Sequence, residues 1–316
     1  MSEPAAWSPE DFEAQLRALL EDRYHHRHPF NLRMHAGTLT QEEIRSWAAN
    51  RYYYQTRIPI KDGLIVAKAS DPDFRRSWVE RIHDHDGREP GQGGLELWLV
   101  LAESVGLSRA SVESFEEVLP GVRRACDAYV DFVASHDLLE SVASSLTELY
   151  AARIMVDRIA AFENHYPWVG DSGLDYFRSR TTQARDDAQF GLEHVRAAAQ
   201  TRAEQERCVA ALGRKCEILW GLLDAVERAH ARPSLSPHAQ LRDEASEGGA
   251  MVVLPERAVK LGGSGPEILA LCDGARSTRE VARAVQARHP DAAGVWDEAH
   301  DFVDEMSRAG VLDFGE

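Results

Sequence analysis

Apolar side chains recur at steps of three and four from about Pro9 to about His230, and alternating β-branched runs are almost absent from that stretch. Such spacing holds one stripe of each segment against a core only if the segment is helical. The pattern predicts an all-α first domain over residues 1–230. Its helices are expected near 9–21, 40–58, 72–86, 92–105, 117–135, 138–163, 173–200 and 204–230. Pro29, Pro59, Pro72, Pro120 and Pro167 are read as punctuation between them. Ser8 before Pro9 with Asp11 beyond, and Thr40 before Glu42 and Glu43, supply acceptors for first-turn amides.

The periodicity stops at 231–250, where ARPSLSPHAQLRDEASEGGA gathers proline, serine, glycine and charge; this stretch reads as a linker that includes at most the start of a weak strand. Residues 251–316 then read as a small α+β module. Met251–Leu254 and Val311–Phe314 are its strand candidates, with helical patterns near 264–272, 277–288 and 293–309. CDG at 272–274 reads as a turn, with Cys272 a packed thiol.

Charge excludes several partners. The 316 residues carry 52 acidic against 36 basic side chains, a formal charge of −16, which argues against a general nucleic-acid binder. No apolar run approaches the roughly 20 residues of a spanning helix, and Met1–Glu10 lacks the basic start and apolar middle of a secretory signal. A cytoplasmic protein without membrane contact is the expectation. Cys126, Cys208, Cys216 and Cys272 are too widely spaced for a metal knuckle and read as buried thiols.

Polar residues fall on inward stripes. Ile44, Trp47, Ala48, Arg51, Tyr54, Gln55 and Ile58 share one helix face; His85 follows Phe74, Trp78 and Ile82; Tyr129 follows Val122 and Cys126. Arg158 lies with Ile154 and Met155, Lys215 with Leu212 and Leu219, and Tyr176 one turn from Arg180. A buried unpaired charge costs several kcal/mol, so these cations must meet carboxylates of the protein or of a ligand. A small polyanion held by forked contacts from an enclosed cationic pocket is the functional reading. Pairing with the chain's own Asp and Glu residues is the structural one.

Histidines crowd YHHRH at 24–28 and HDH at 83–85. They suit metal ligation or proton movement. Side chains two apart on a helix point to different faces, so His83 and His85 cannot share one pocket. The duplicated ExxH pair of a di-iron bundle is also missing.

Seven motifs in order, YHHRHPFNLRMHAG (24–37), NRYYYQTRIPIKD (50–62), RIHDHDG (81–87), SSLTELY (144–150), HYPW (165–168), YFRSR (176–180) and ILWGLLDA (218–225), resemble the pyrroloquinoline-quinone synthase (PqqC) family. The resemblance covers roughly residues 8–230. The tail is similar to the PqqD peptide-chaperone family through LPERAVKLGGSGPEILALCDGARSTREVARAV (254–285) and FVDEMSRAGVLDF (302–314). Residues 238–253 are short for that family's first strands, which implies an abbreviated sheet.

The resemblance implies a heme-oxygenase-like helical bundle followed by a winged-helix-like α+β domain, and a homodimer. It further implies an oxidase with no metal or organic cofactor and with O₂ as co-substrate. The substrate implied is a polycarboxylated quinone precursor (AHQQ), closed and oxidised to pyrroloquinoline quinone with release of H₂O₂. By motif position, His25, His85, Tyr129, Tyr176 and Arg180 correspond to catalytic residues. Tyr24, Arg51, Tyr54, Gln55, Lys61, Thr147, Arg158 and Lys215 correspond to substrate-binding ones. For the tail it implies a precursor peptide added as a strand to a sheet edge near Met251–Leu254, with a radical enzyme as further partner.

One departure stands out: the family pattern has a histidine where this chain has Met155, and Ala-Pro where it has Ala151–Ala152. A thioether neither donates nor accepts a proton usefully. A metal-dependent oxidase of the same superfamily and a non-catalytic quinone carrier therefore stay open as alternatives.

Overall fold

The computed structural model describes residues 4–244 and 249–315. The chain divides into two compact units, Met1–Asp224 and Ala225–Glu316. In the first, α1 (Pro9–Arg23) starts where expected: Pro9 fills the first helical position and the Ser8 side chain accepts from the Asp11 amide. α3 (Gln41–Lys68) opens on a capping box in which Thr40 and Glu43 satisfy each other's backbone amides. It does not stop at Pro59, which lies inside the helix. A proline there removes one backbone bond at a cost of about 3 kcal/mol. Full burial of Ile58 and Ile65 on either side outweighs that loss.

The seven-residue α2 (Pro29–His35) was not visible as a periodic stretch, being barely two turns; His28 caps it, its Nδ1 accepting from the Phe30 amide. The expected helix at 72–86 is two, α4 (Pro72–Trp78) and α5 (Glu80–Asp86), separated at Val79. That break turns Arg81, rather than Ile82, fully inward beside His85. α6 (Gly93–Ser104), the short α7 (Arg109–Glu113) and α8 (Pro120–Ser135) follow.

The expected helix at 138–163 is also broken. α9 (Leu138–Ser144) passes through a 3-10 turn, Ser145–Thr147, into α10 (Glu148–His165). The tighter winding brings Ser145, Thr147 and Glu148 to one cavity wall. α11 (Asp175–Ala198) packs along α10, and α3 packs on α5, α6 and α8. α12 runs Arg202–His230.

The second unit corrects the reading of 231–250 as a linker. Within it lie β1 (Pro233–Leu235), β2 (Gln240–Glu244) and the start of β3 (Gly249–Leu254); residues 245–248 are outside the described set. β2 pairs antiparallel with β3, and β3 with β4 (Arg257–Leu261). The three-stranded sheet is therefore not abbreviated, and β3 is its centre, so Met251–Leu254 is no edge; β2 and β4 are the edges. Pairing overrode a charged sequence with little alternation. β1 pairs with β5 (Leu312–Phe314). α13 (Gly265–Leu271), α14 (Thr278–Arg288) and α15 (Val295–Arg308) complete the unit. Cys272 is buried, its thiol donating to the Ile268 carbonyl, and the following turn uses Gly274 at φ 75°.

The loop between α5 and α6 depends on glycine. Gly93 has φ 87°, and a Cβ there would stand 2.3 Å from the Gly87 nitrogen and 2.6 Å from the His85 carbonyl oxygen. Gly93→Ala should therefore lower the urea midpoint by an equivalent of more than about 1 kcal/mol. An unchanged midpoint would show that the loop re-forms without cost.

Candidate functional site

One cavity in the first unit gathers Tyr24 and residues from seven elements. α3 supplies Arg51, Tyr54, Gln55, Ile58 and Lys61; α5 supplies His85; α8 supplies Tyr129. Ser145, Thr147, Glu148, Ala151 and Met155 come from the 3-10 turn and α10, Tyr176 and Arg180 from α11, Lys215 and Leu219 from α12, and Tyr24 follows α1. Eleven of the thirteen residues singled out from sequence line this wall. His25 and Arg158 do not. They are buried beside it, bridged by Asn31, whose amide nitrogen contacts His25 Nδ1 at 2.7 Å and whose oxygen accepts from Arg158 Nη2 at 3.2 Å. With the amide so oriented, the neutral His25 ring carries its proton on Nε2. The His25 ring lies 4.3 Å from that of Tyr24, which does line the cavity.

The cations differ in how they are balanced. Lys61 is paired: its ammonium lies 2.7 Å from Asp62 Oδ1 and donates to Ser145 Oγ at 2.9 Å. Burial opposes its charge most strongly, but Asp62, with Tyr129 and Glu148 adding to it, holds its pKa above the usual lysine value. Arg180 approaches Asp84 at 3.9 Å. Lys215 donates to the Tyr54 hydroxyl at 2.9 Å and sits 3.2 Å above the Tyr129 ring centre. Arg51 lies over the Tyr54 ring at 4.0 Å. Among the described residues, no carboxylate pairs with Lys215, Arg51 or Arg158. Burial, with Lys61 and Arg51 nearby, drives the Lys215 pKa well below normal. Burial and Arg51 bring that of Arg158 down to about 10.

The proton-moving candidates are tuned by the same enclosure. His85 Nδ1 lies 3.0 Å from the Arg81 carbonyl oxygen, so Nδ1 carries the hydrogen and Nε2 is the basic nitrogen. Burial and the Arg180 charge lower its pKa to about 4, which makes it neutral at pH 7. Burial raises the Tyr54 phenol well above its normal value and raises that of Tyr24 as well. Tyr176 is held by the edge of Trp98, ring centres 4.7 Å apart, and Trp98 is fixed by donating to the Ala48 carbonyl at 2.8 Å.

Sequence reasoning missed Asn31, Ser145, Asp62, Arg81 and Glu148. Their signal was weak: the first two are small polar residues in motifs already assigned to others, and the charged three appeared as ordinary helix charges. Asp62 is fully buried, accepting from Trp78 Nε1 at 2.8 Å, and Glu148 pairs with Arg81. His83 stays outside the cavity, 3.6 Å from Glu80, as the two-residue spacing requires. Among the described residues, no three His, Cys, Asp or Glu side chains cluster closely enough to hold a metal ion, and no helix is long and apolar enough to cross a membrane.

The helical fold of this unit has been seen before. The TenA homologue from P. horikoshii OT3 superposes with a TM-score of 0.57 at 13% identity, covering 69% of this chain and 98% of that one. A Shewanella denitrificans OS217 domain described as having a heme oxygenase-like fold gives 0.54 at 14% identity, covering 69% and 89%. Residues 13–225 match the TENA/THI-4/PQQC family, to which the chain belongs, and residues 249–312 match the family of coenzyme PQQ synthesis protein D (PqqD). Among its relatives, the pyrroloquinoline-quinone synthase of Gluconobacter oxydans (strain 621H) is 44% identical over 232 residues, which are 73% of this chain and 97% of that protein. That of Cronobacter sakazakii (strain ATCC BAA-894) is 46% identical over 243 residues, 77% and 96%.

The histidine environment fixes a pH dependence. The unfolded chain protonates His85 near 6.5, whereas the folded site resists until about 4. The His85 contribution to stability should thus fall as pH drops from 6.5 towards 4 and level off below, because over that window the unfolded state binds the extra proton. His25 and His35, also depressed by burial, add to the slope. His85→Gln should make the decline in urea midpoint shallower; an unaltered slope would mean that His85 ionises freely in the folded protein.

Proposed function

We propose that this protein is an enzyme of pyrroloquinoline-quinone formation: an O₂-dependent oxidase that closes and oxidises a polycarboxylated quinone precursor without metal or organic cofactor, releasing H₂O₂. The observation that carries this reading is the presence of Arg51 and Lys215, which no carboxylate of the described chain pairs with, in one cavity with neutral His85. Enclosed cations lacking protein partners favour an anionic ligand that supplies the missing charge. The relatives named pyrroloquinoline-quinone synthase support the choice of ligand.

An electron-rich quinol gives two electrons to O₂, and two protons complete H₂O₂. The protein's task is then to move protons and stabilise reduced oxygen. His85 Nε2 is a base available at neutral pH, and a bound polyanion would raise its proton affinity by favouring the imidazolium. Tyr129 and Tyr176 are phenol donors on the same wall, and Arg180 and Lys215 provide positive charge for a peroxide anion. The second unit, as a PqqD-family domain, is proposed to bind a precursor peptide by strand addition at β2 or β4, and with it a radical enzyme. A homodimer belongs to the same proposal.

Purified full-length protein, given the precursor in chelator-treated buffer, should consume oxygen and release peroxide as the quinone forms. Activity that arises only on adding a metal would reject the metal-free chemistry. Arg51→Gln and Lys215→Met should each raise KM by about 10–100-fold, the weight of a lost charge-assisted hydrogen bond. Steady-state oxygen uptake reads this directly.

Met155 on the cavity wall favours a second reading, a carrier that binds the quinone without oxidising it. Met155→His separates the two. Faster oxidation in the variant supports an enzyme with a shortened proton relay. Quinone binding with no oxygen uptake in either form supports the carrier.

A further inference from the structure

Among the described residues, a single sulfur-bearing side chain borders the cavity. Met155, on α10, lines it together with Tyr129, Tyr176, Arg180 and Lys215. The other described methionines lie elsewhere: Met34 is sealed in α2, Met306 is buried in α15 of the second unit, and Met251 is half-buried on β3. Cys126, Cys208 and Cys216 of the helical unit are off the wall, and burial pushes all three thiols up to about 12. Peroxide attacks a thiolate, so at neutral pH these thiols stay inert. A thioether reacts through its sulfur lone pair and needs no deprotonation.

Resting on the proposed function, we infer that Met155 is a modification site: hydrogen peroxide formed in the chamber oxidises its thioether to the sulfoxide before it escapes. One peroxide oxygen bonds to sulfur, the O–O bond breaks, and the other oxygen leaves with both protons as water. Sulfur loses two electrons and peroxide gains them. Tyr129 and Tyr176 supply hydroxyls that relay the proton between the two oxygens, and Arg180 and Lys215 favour the negative charge building on the departing one. Enclosure supplies the rate, because peroxide made in the same chamber meets the sulfur at an effective concentration far above that in bulk. The sulfoxide is polar where the thioether was not. On a wall rich in cations and phenols it finds donors, and it withdraws them from the ligand. Each oxidation thereby slows later turnovers, and the enzyme is limited by its own product.

The test follows full-length protein through turnover of the precursor with catalase in the buffer, which destroys peroxide only after its release. Trypsin then frees Met155 in the peptide of residues 154–158, and the sulfoxide adds about 16 Da to it. Met155 should be oxidised at least about five-fold more than the better-exposed Met251. Peroxide added to the protein without precursor should reverse that order. Oxygen uptake at saturating precursor should decline in step with Met155 oxidation, whereas Met155→Leu should hold its own initial rate. Met155 left unoxidised while oxygen is consumed and peroxide released, or protected by catalase, overturns the inference and leaves the functional reading standing. The wild-type decline retained in Met155→Leu overturns it equally. A wild-type protein that takes up no oxygen with the precursor removes both.

Discussion

The Asp62 carboxylate is the pivot on which the site is built. Fully buried in α3, it accepts from Trp78 of α4, contacts Lys61 of its own helix and faces Arg81 of α5. Arg81 in turn reaches Glu148 at the start of α10. A buried cluster of this kind gains stability only when every charge has a partner, and losing one member leaves the others stranded in a medium that solvates them poorly. It joins four helices at the point where two of them are broken. The breaks at Val79 and at Ser145–Thr147 are tolerated because the charges they bring inward complete the cluster.

The cluster also determines which cations are left for a ligand. Lys61 and Arg81 are balanced within the protein, and Arg180 is partly balanced by Asp84. Arg51 and Lys215 lean on aromatic faces instead, over Tyr54 and Tyr129. An aromatic face stabilises a cation less than a carboxylate does and leaves its charge unneutralised. The chamber is therefore electropositive even though the chain carries a net charge of −16. Tyrosines thus have two uses here, holding cations without cancelling them and presenting hydroxyls to the cavity.

Much of this was legible beforehand for a physical reason. Arg51, Tyr54, Gln55 and Lys61 follow helical steps along α3, and a regular helix of known phase fixes which side chains share a face. Lys215 on α12 and the Tyr176–Arg180 pair on α11 were readable in the same way. The phase was lost where a helix breaks. Ile82 was read as inward, and Arg81 was not singled out, because the pattern was carried across Val79. Glu148 was missed because a 3-10 turn, not a continuous helix, precedes it. Strand β2 was read as linker because QLRDE has no alternation of its own, and its pairing with β3 is a long-range event.

The sequence alone determined the helical character of the first unit, the identity of the second and the set of cations placed on inward stripes. These follow from local periodicity and from ordered motifs, which need no knowledge of neighbours. Tertiary structure alone decided how those charges are apportioned. His25 and Arg158 stand behind the wall, joined through Asn31, because their helices meet there. Lys61 is neutralised and Lys215 is not, because Asp62 lies against the one and the ring of Tyr129 against the other. Whether a buried charge meets a carboxylate or an aromatic face depends on which helices come to face each other, and no spacing along a single chain records that.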